Sequence, residues 1–215
     1  MGNVVIGTGS YLPERVVTNQ EIQDWGVDYN PARSGGLSLE QWGQKYVGGT
    51  SRHWVAPDQD IADMAAEAGL RALLDAGPAA ETVELIVMAT LSTHLPQAAA
   101  SVQAKLGLGA KFIQLDSGCS GFVDALMVAD SLMDRHRYQT ALVIGGDAAS
   151  RYLHPGHFMD LSVFGDGAGA VVLRRMNGSE YGLRSFSAGS DGDLGGYVTS
   201  GAAQSASGVR EEEAH

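Results

Sequence analysis

Apolar residues in this chain switch between two periods in a regular alternation, and that alternation limits the folds open to it. Between Asp60 and Ala76 the apolar positions Ile61, Met64, Ala65, Ala68, Leu70, Ala72 and Leu73 predict a helix, which Gly77-Pro78 stops. Leu85 to Thr90 follows as an unbroken apolar run, the pattern of a strand buried on both faces. A second helical stretch runs from Gln97 to Leu106 and stops at Gly107. The short strand Lys111 to Leu115 then leads to a third helix, with Phe122, Val123, Leu126, Ala129, Leu132 and Met133 along one side. Thr140 to Gly146 and Gly169 to Leu173 read as further buried strands. Strands alternating with helices predict an α/β fold: a mostly parallel mixed sheet covered by helices on both faces, with ligands at the carboxyl ends of the strands.

The N-terminal third is less regular. Asn3 to Pro13 opens as a buried strand, and Thr18-Asn19-Gln20-Glu21-Ile22 carries a helix start with Thr18 or Asn19 as its cap. Asp28 to Leu39 is polar and glycine-rich and reads as a loop; Ser38 to Trp42 starts a short helix, and Tyr46 to Val55 is expected to return as extended chain. From Ser187 onward the pattern dissolves into Gly, Ser and Ala and then Glu211-Glu212-Glu213, a solvated tail.

Charge and composition exclude several classes. Fourteen Lys and Arg against 25 Asp and Glu leave a net charge of −11, and the basic residues form no cluster longer than Arg174-Arg175, so nucleic acid is not an expected partner. With no apolar run near 18 residues and no charged-then-apolar start, no membrane partner is expected and the cytoplasm is the expected location. One cysteine makes no intrachain disulfide. His53, His94, His136, His154 and His157 are scattered; His154-Pro155-Gly156-His157 reads as a structural loop, since one pair leaves a zinc ion under-coordinated, and no metal is expected.

The single cysteine, Cys119, lies in Asp116-Ser117-Gly118-Cys119-Ser120-Gly121-Phe122, between a strand and a helix. A thiol at a helix start faces amides without intrahelical partners and the positive end of the macrodipole, which favours the thiolate. A free cysteine is otherwise a small buried apolar residue. Gly118 and Gly121 argue for the nucleophile, because flanking glycines let a substrate or backbone come close.

Four segments, Gly7-Thr8-Gly9-Ser10-Tyr11-Leu12-Pro13, Arg52-His53-Trp54-Val55-Ala56-Pro57, Ser117 to Phe122 and Val163-Phe164-Gly165-Asp166-Gly167-Ala168-Gly169-Ala170, resemble in order and spacing the type III β-ketoacyl synthases. The resemblance implies a thiolase-like fold, with residues 1–194 as a nucleophile-bearing half of a five-layer architecture and 195–215 as a linking tail. It implies that Cys119 is acylated by a thioester and that the acyl group then condenses with a malonyl thioester by decarboxylation, in fatty acid or polyketide synthesis. Substrates would be acyl and malonyl thioesters of carrier protein or CoA, with no further cofactor. The family's decarboxylation-assisting His-Gln-Ala-Asn-like and Asn-Thr-Ser-like motifs are absent from these 215 residues. A complementary C-terminal half or second subunit is therefore expected, with acyl carrier protein as partner and a homodimer of complete units.

By the same resemblance, Trp42 matches a tryptophan that stacks on the adenine of CoA, with a packing aromatic as the alternative. Tyr46 and Phe158 stand where the family carries arginines near the coenzyme entrance, which favours carrier-bound over CoA-bound donors. Leu95, in a shortened loop, matches the residue that caps the partner's acyl pocket, with an ordinary core leucine as the alternative. Two other readings remain open: an acyltransferase that forms no carbon–carbon bond, and a non-catalytic subunit of a heteromeric condensing enzyme.

Overall fold

A computed structural model describes residues 2–80, 82–92, 97–136 and 138–193. The chain divides into two units, Met1–Arg184 and Ser185–His215, and the first holds all the elements below. In chain order they are β1 (Gly2–Tyr11), β2 (Arg15–Thr18), α1 (Asn19–Asp24), α2 (Leu39–Trp42), β3 (Ser51–Trp54), α3 (Ile61–Ala76), β4 (Leu85–Ala89), α4 (Ala98–Lys105), β5 (Lys111–Leu115), α5 (Gly121–His136), β6 (Thr140–Asp147), α6 (Phe158–Val163) and β7 (Gly167–Met176).

The main sheet has the order β1-β7-β6-β4-β5. β4 pairs in parallel with both β5 and β6, while β7 runs antiparallel to both of its neighbours. Four of the five strands therefore point the same way and β7 alone is reversed. Side chains alternate across the sheet. Ile86, Met88, Leu142, Ile144 and Val172 pack with α3 and α4, whereas Leu85, Val87, Ala141, Val143 and Leu173 pack with Ala125, Ala129 and Met133 of α5. Burial of both faces is why β4 reads as an unbroken apolar run.

Local chemistry sets the helix ends. Asp60 and Asp63 exchange side-chain and backbone hydrogen bonds of 3.0 and 2.9 Å in a capping box that opens α3. Thr18, not Asn19, caps α1, accepting from Glu21 N at 3.1 Å. Leu70, counted above with the apolar face of α3, is 44% exposed, because it lies two residues, about 200°, around the helix from buried Ala68. Lys105 Nζ reaches Asp63 Oδ1 at 2.8 Å and ties α4 to α3.

β2 and β3 form a separate antiparallel ribbon over a small core of Val17, Ile22, Leu39, Trp54 and Leu161. Here the expected extended run narrows. Tyr46 and Val47 belong to a π turn, Gly43–Val47, closed by Gly48 at φ 81°, and the strand starts only at Ser51. The capping box of Ser38 and Gln41 opens α2, and the winding continues past Trp42 to that glycine. The expected loop before it contains a 3-10 turn, Pro31–Ser34. Among the described residues no helix is long and apolar enough to cross a membrane.

Candidate active site

β5 ends at Leu115, and the chain turns through Ser117 and Gly118 into a single 3-10 turn, Gly118–Ser120, before α5 starts at Gly121. Cys119 sits in that turn and not in the first turn of α5. Gly118 has φ 60°, where a Cβ is strained, so the reversal that lifts the thiol needs a glycine. Ser120 Oγ donates to Ser117 O at 3.1 Å and to Asp124 Oδ2 at 2.8 Å, which ties the turn to α5. The thiol is exposed, so the reading of Cys119 as a buried filler does not hold.

Beside the thiol lies a hollow of about 380 Å³ at the carboxyl ends of β4 and β6. Its walls are Cys119, Phe122, Thr90 and Asp147, and much of the rest is glycine backbone from β6 and β7. Gly145 and Gly169 are register partners on the α5 side of the sheet. A Cβ on Gly145 would meet Phe122 at 3.0 Å; a Cβ on Gly169 would meet nothing closer than Gly9 O at 4.0 Å, and so would project into open space.

The four sequence segments meet around this end of the sheet. β1 pairs Gly9 with Ala170 and Ser10 with Gly169. Asp166, 3% exposed, accepts from Val55 N and Ser150 N at 2.8 Å each and also from Ser150 Oγ, while its own N–H donates to His53 O at 2.8 Å. Trp54 Nε1 donates to Phe164 O at 3.3 Å, and His53 Nδ1 donates to Pro13 O at 2.5 Å. Arg52, 7% exposed, donates to Ser162 O at 2.7 Å, to Val17 O at 3.3 Å and to Asn19 Oδ1. Burial holds the Arg52 guanidinium below its ordinary pKa, with Glu40 opposing. These polar residues fasten the β2–β3 ribbon to the exit of β6 and the entrance of β7.

Trp42 and Phe158 come together away from the hollow, with ring centroids 5.1 Å apart in an edge-on contact. Tyr29 joins both rings at 6.3 and 5.0 Å, and Tyr46 lies 6.0 Å from Trp42. Both positions at which an arginine was expected thus hold aromatic side chains against the tryptophan. Neither Trp42 nor Phe158 lines the hollow. Leu95 and His94 lie outside the described residues.

Asp147 and Thr90 are the site residues that sequence reasoning missed. Asp147 is an acid at the end of a buried apolar strand, where a carboxylate needs partners. That signal was present but overshadowed by the adjacent Gly145-Gly146 pair.

Comparison with known proteins agrees with this geometry. Residues 113–192 match the family model of 3-oxoacyl-[acyl-carrier-protein] synthase III. The β-ketoacyl-[acyl-carrier-protein] synthase III of Rhodospirillum centenum is 40% identical over 197 residues, covering 88% of this chain and 58% of the relative. That of Caulobacter vibrioides is 38% identical over 200 residues, covering 89% and 59%. The crystal structure of the synthase III from Thermus thermophilus superposes with a TM-score of 0.78 at 32% identity, covering 88% of this chain and 56% of that one. The one from Pseudomonas aeruginosa does so with a TM-score of 0.73 at 36% identity, covering 85% and 54%. The chain spans little more than half the length of the relatives it matches. Four motif segments meeting at one sheet end, a thiolase-like α/β fold and these matches together make the chain similar to the N-terminal part of the type III β-ketoacyl-acyl carrier protein synthases.

Proposed function

We propose that this chain is the nucleophile-bearing part of a ketosynthase III-type condensing enzyme. The observation that carries the reading is the exposed Cys119 thiol on a glycine-led turn beside a hollow at the strand ends. The Cys119 thiolate attacks the carbonyl of an acyl thioester, and the oxyanion is held by backbone N–H groups that include its own. One such donor is worth about 3 kcal/mol. The donor's C–S bond breaks, its thiolate leaves and takes a proton, and the acyl group remains on Cys119. A malonyl thioester then loses carbon dioxide, the resulting enolate carbon attacks the acyl carbonyl, and Cys119 leaves as thiolate.

Residues 1–194 carry the acylation step in this reading. The histidine and asparagine that stabilise the enolate come from a complementary half, and complete units pair as a dimer. Intact mass after incubation with acyl thioesters tests the first step. Cys119→Ala is expected to abolish the adduct and Cys119→Ser to weaken it severely, because an alcohol is a poorer nucleophile than a thiolate. An adduct persisting at a hydroxyl overturns the assignment. The 215-residue chain alone is expected to acylate without releasing carbon dioxide from a malonyl donor; condensation by the chain alone refutes the need for a second half.

The acyl donor in this proposal is carried by acyl carrier protein. Tyr46 and Phe158 give Trp42 aromatic neighbours in place of phosphate-binding cations. Acylation by an acyl carrier protein is expected to outpace acylation by the matching acyl-CoA at equal concentration, and the reverse order sinks the preference.

A further inference from the structure

β1 is ten residues long and stands at the end of the sheet beside β7. A long edge strand presents unpaired N–H and C=O groups to which another strand can add. The first part of β1 is covered by its own chain, since Leu183 N donates to Asn3 O at 3.0 Å. The register then slips between Val5 and Gly7, a bulge that interrupts the ladder. Beyond the bulge Thr8 and Ser10, opposite Val171 and Gly169, turn their N–H and C=O groups away from β7.

α3 reaches round to these outward groups. Asp75 Oδ2 accepts from Thr8 N at 2.8 Å and from Thr8 Oγ1 at 3.4 Å, and Arg71 Nη1 donates to Ser10 O at 2.9 Å. The carboxylate stands where a neighbouring strand would offer a C=O, and the guanidinium where it would offer an N–H. The spacing suits this, because residues i and i+4 of a helix lie about 6 Å apart along its axis and alternate residues of a strand about 6.8 Å. Gly7 and Gly9 let the helix come near enough, since neither has a Cβ to hold the α3 backbone off. Arg71 is itself held, by Glu67 Oε1 at 2.8 Å and by the Tyr11 ring, whose centroid is 5.4 Å from Cζ. An incoming antiparallel strand bonds both the N–H and the C=O of each outward residue, so one guard on Thr8 and one on Ser10 spoil both pairs. Bulk is not the obstacle, for a space of about 370 Å³ remains beside Arg71 and the Thr8–Ser10 segment.

We propose that Arg71 and Asp75 mimic a neighbouring strand and close the β1 edge to a second copy of this chain. A second copy is the partner at issue because it brings the same strand: a twofold axis at Gly9 sets Thr8 of one copy opposite Ser10 of the other, with all their outward groups in register. The guard is independent of acyl transfer, and it leaves the pairing of complete units to other surfaces.

Light scattering on the 215-residue chain, at one concentration for every variant, reads the association. Arg71→Ala and Asp75→Ala together are expected to raise the mean mass about twofold over wild type, as a closed twofold pair requires. Adding Ser10→Pro to that pair deletes an outward N–H that β7 does not use, and is expected to return the mass to the wild-type value. The conservative pair, Arg71→Lys with Asp75→Asn, keeps a donor and an acceptor and is expected to stay at the wild-type mass. Should the proline variant not fold, amide exchange serves: protection of the Ser10 N–H is expected to rise with protein concentration in the alanine pair and to stay constant in wild type.

An alanine pair with the wild-type mass overturns the proposal. A raised mass that Ser10→Pro leaves in place, or that comes without concentration-dependent protection at Ser10, also overturns it, because general destabilisation then accounts for the association. Association of the conservative pair to the same extent as the alanine pair does so too, since hydrogen bonding to Thr8 and Ser10 is then not what keeps the edge closed.

Discussion

At Gly7 and Gly9 the backbone of β1 lies directly on α3, and a Cβ at either position would fall inside hard contact with the carbonyl oxygens of Ala72 and Ala68. Across the sheet, in the hollow beside Cys119, Gly169 has nothing within 4.0 Å of where its Cβ would stand. Both regions are glycine-rich and they share β7, which pairs with β1 on one side and β6 on the other. In the first, the missing side chain lets helix and strand close to direct backbone contact. In the second, it leaves a space unfilled. A missing Cβ can therefore serve packing or vacancy, and the neighbouring element decides which. α3 crosses over β1 and fills the gap; α5 begins only at Gly121, beside Cys119, and leaves the floor at Gly169 open.

Substitutions break or sharpen this contrast. The largest effect is expected from Gly9→Ala, because the obstacle is helix backbone, which cannot rotate aside as a flexible side chain can. A destabilisation of about 3 kcal/mol is expected from urea unfolding. A midpoint unchanged from wild type shows that the contact is looser than described and removes the contrast. Gly145→Ala stands between the extremes. Its Cβ meets Phe122 side-chain atoms at 3.0 to 3.4 Å, and the ring must shift by a few tenths of an ångström, at a cost of about 1 kcal/mol. A loss as large as that of Gly9→Ala means that Phe122 is held too firmly to yield.

The smallest stability effect is expected at Gly169→Ala, within about 0.5 kcal/mol of wild type, because the methyl group enters open space. That variant is also expected to slow alkylation of Cys119 by long-chain N-alkyl maleimides while leaving N-methylmaleimide unaffected. Equal rates for all chain lengths in wild type and variant show that Gly169 does not floor the space reached from the thiol.

Legibility in the sequence followed the range of the interaction. Asp60 and Gly77 bound α3 as expected, because a cap and a stop act within three or four residues. β4 was readable because both of its faces are buried, so every residue had to be apolar. Tyr46 and Val47 were not, since the π turn that holds them ends on Gly48, and no apolar period distinguishes such a turn from extended chain. Trp42 and Phe158 were each picked out by resemblance, but their 5.1 Å contact spans 116 positions and has no local signal. Asp147 carried a local signal as an acid ending a buried strand, but its donors, Thr90 to Ser92, lie more than 50 residues upstream and could not be read from it.

By itself the sequence determined the alternation of elements, the position of the one thiol at a strand-to-helix turn, and the four segments that carry the family resemblance. Each is a matter of period, capping or order along the chain. Tertiary structure alone decided which glycines are packed and which are vacant, that Asp147 bridges the exits of β4 and β6, and that Asp166 and Arg52 secure the β2–β3 ribbon instead of facing the hollow. The physical reason is that steric contact and desolvation depend on separation in space, and the parallel crossovers of this sheet bring together strand ends that are distant along the chain.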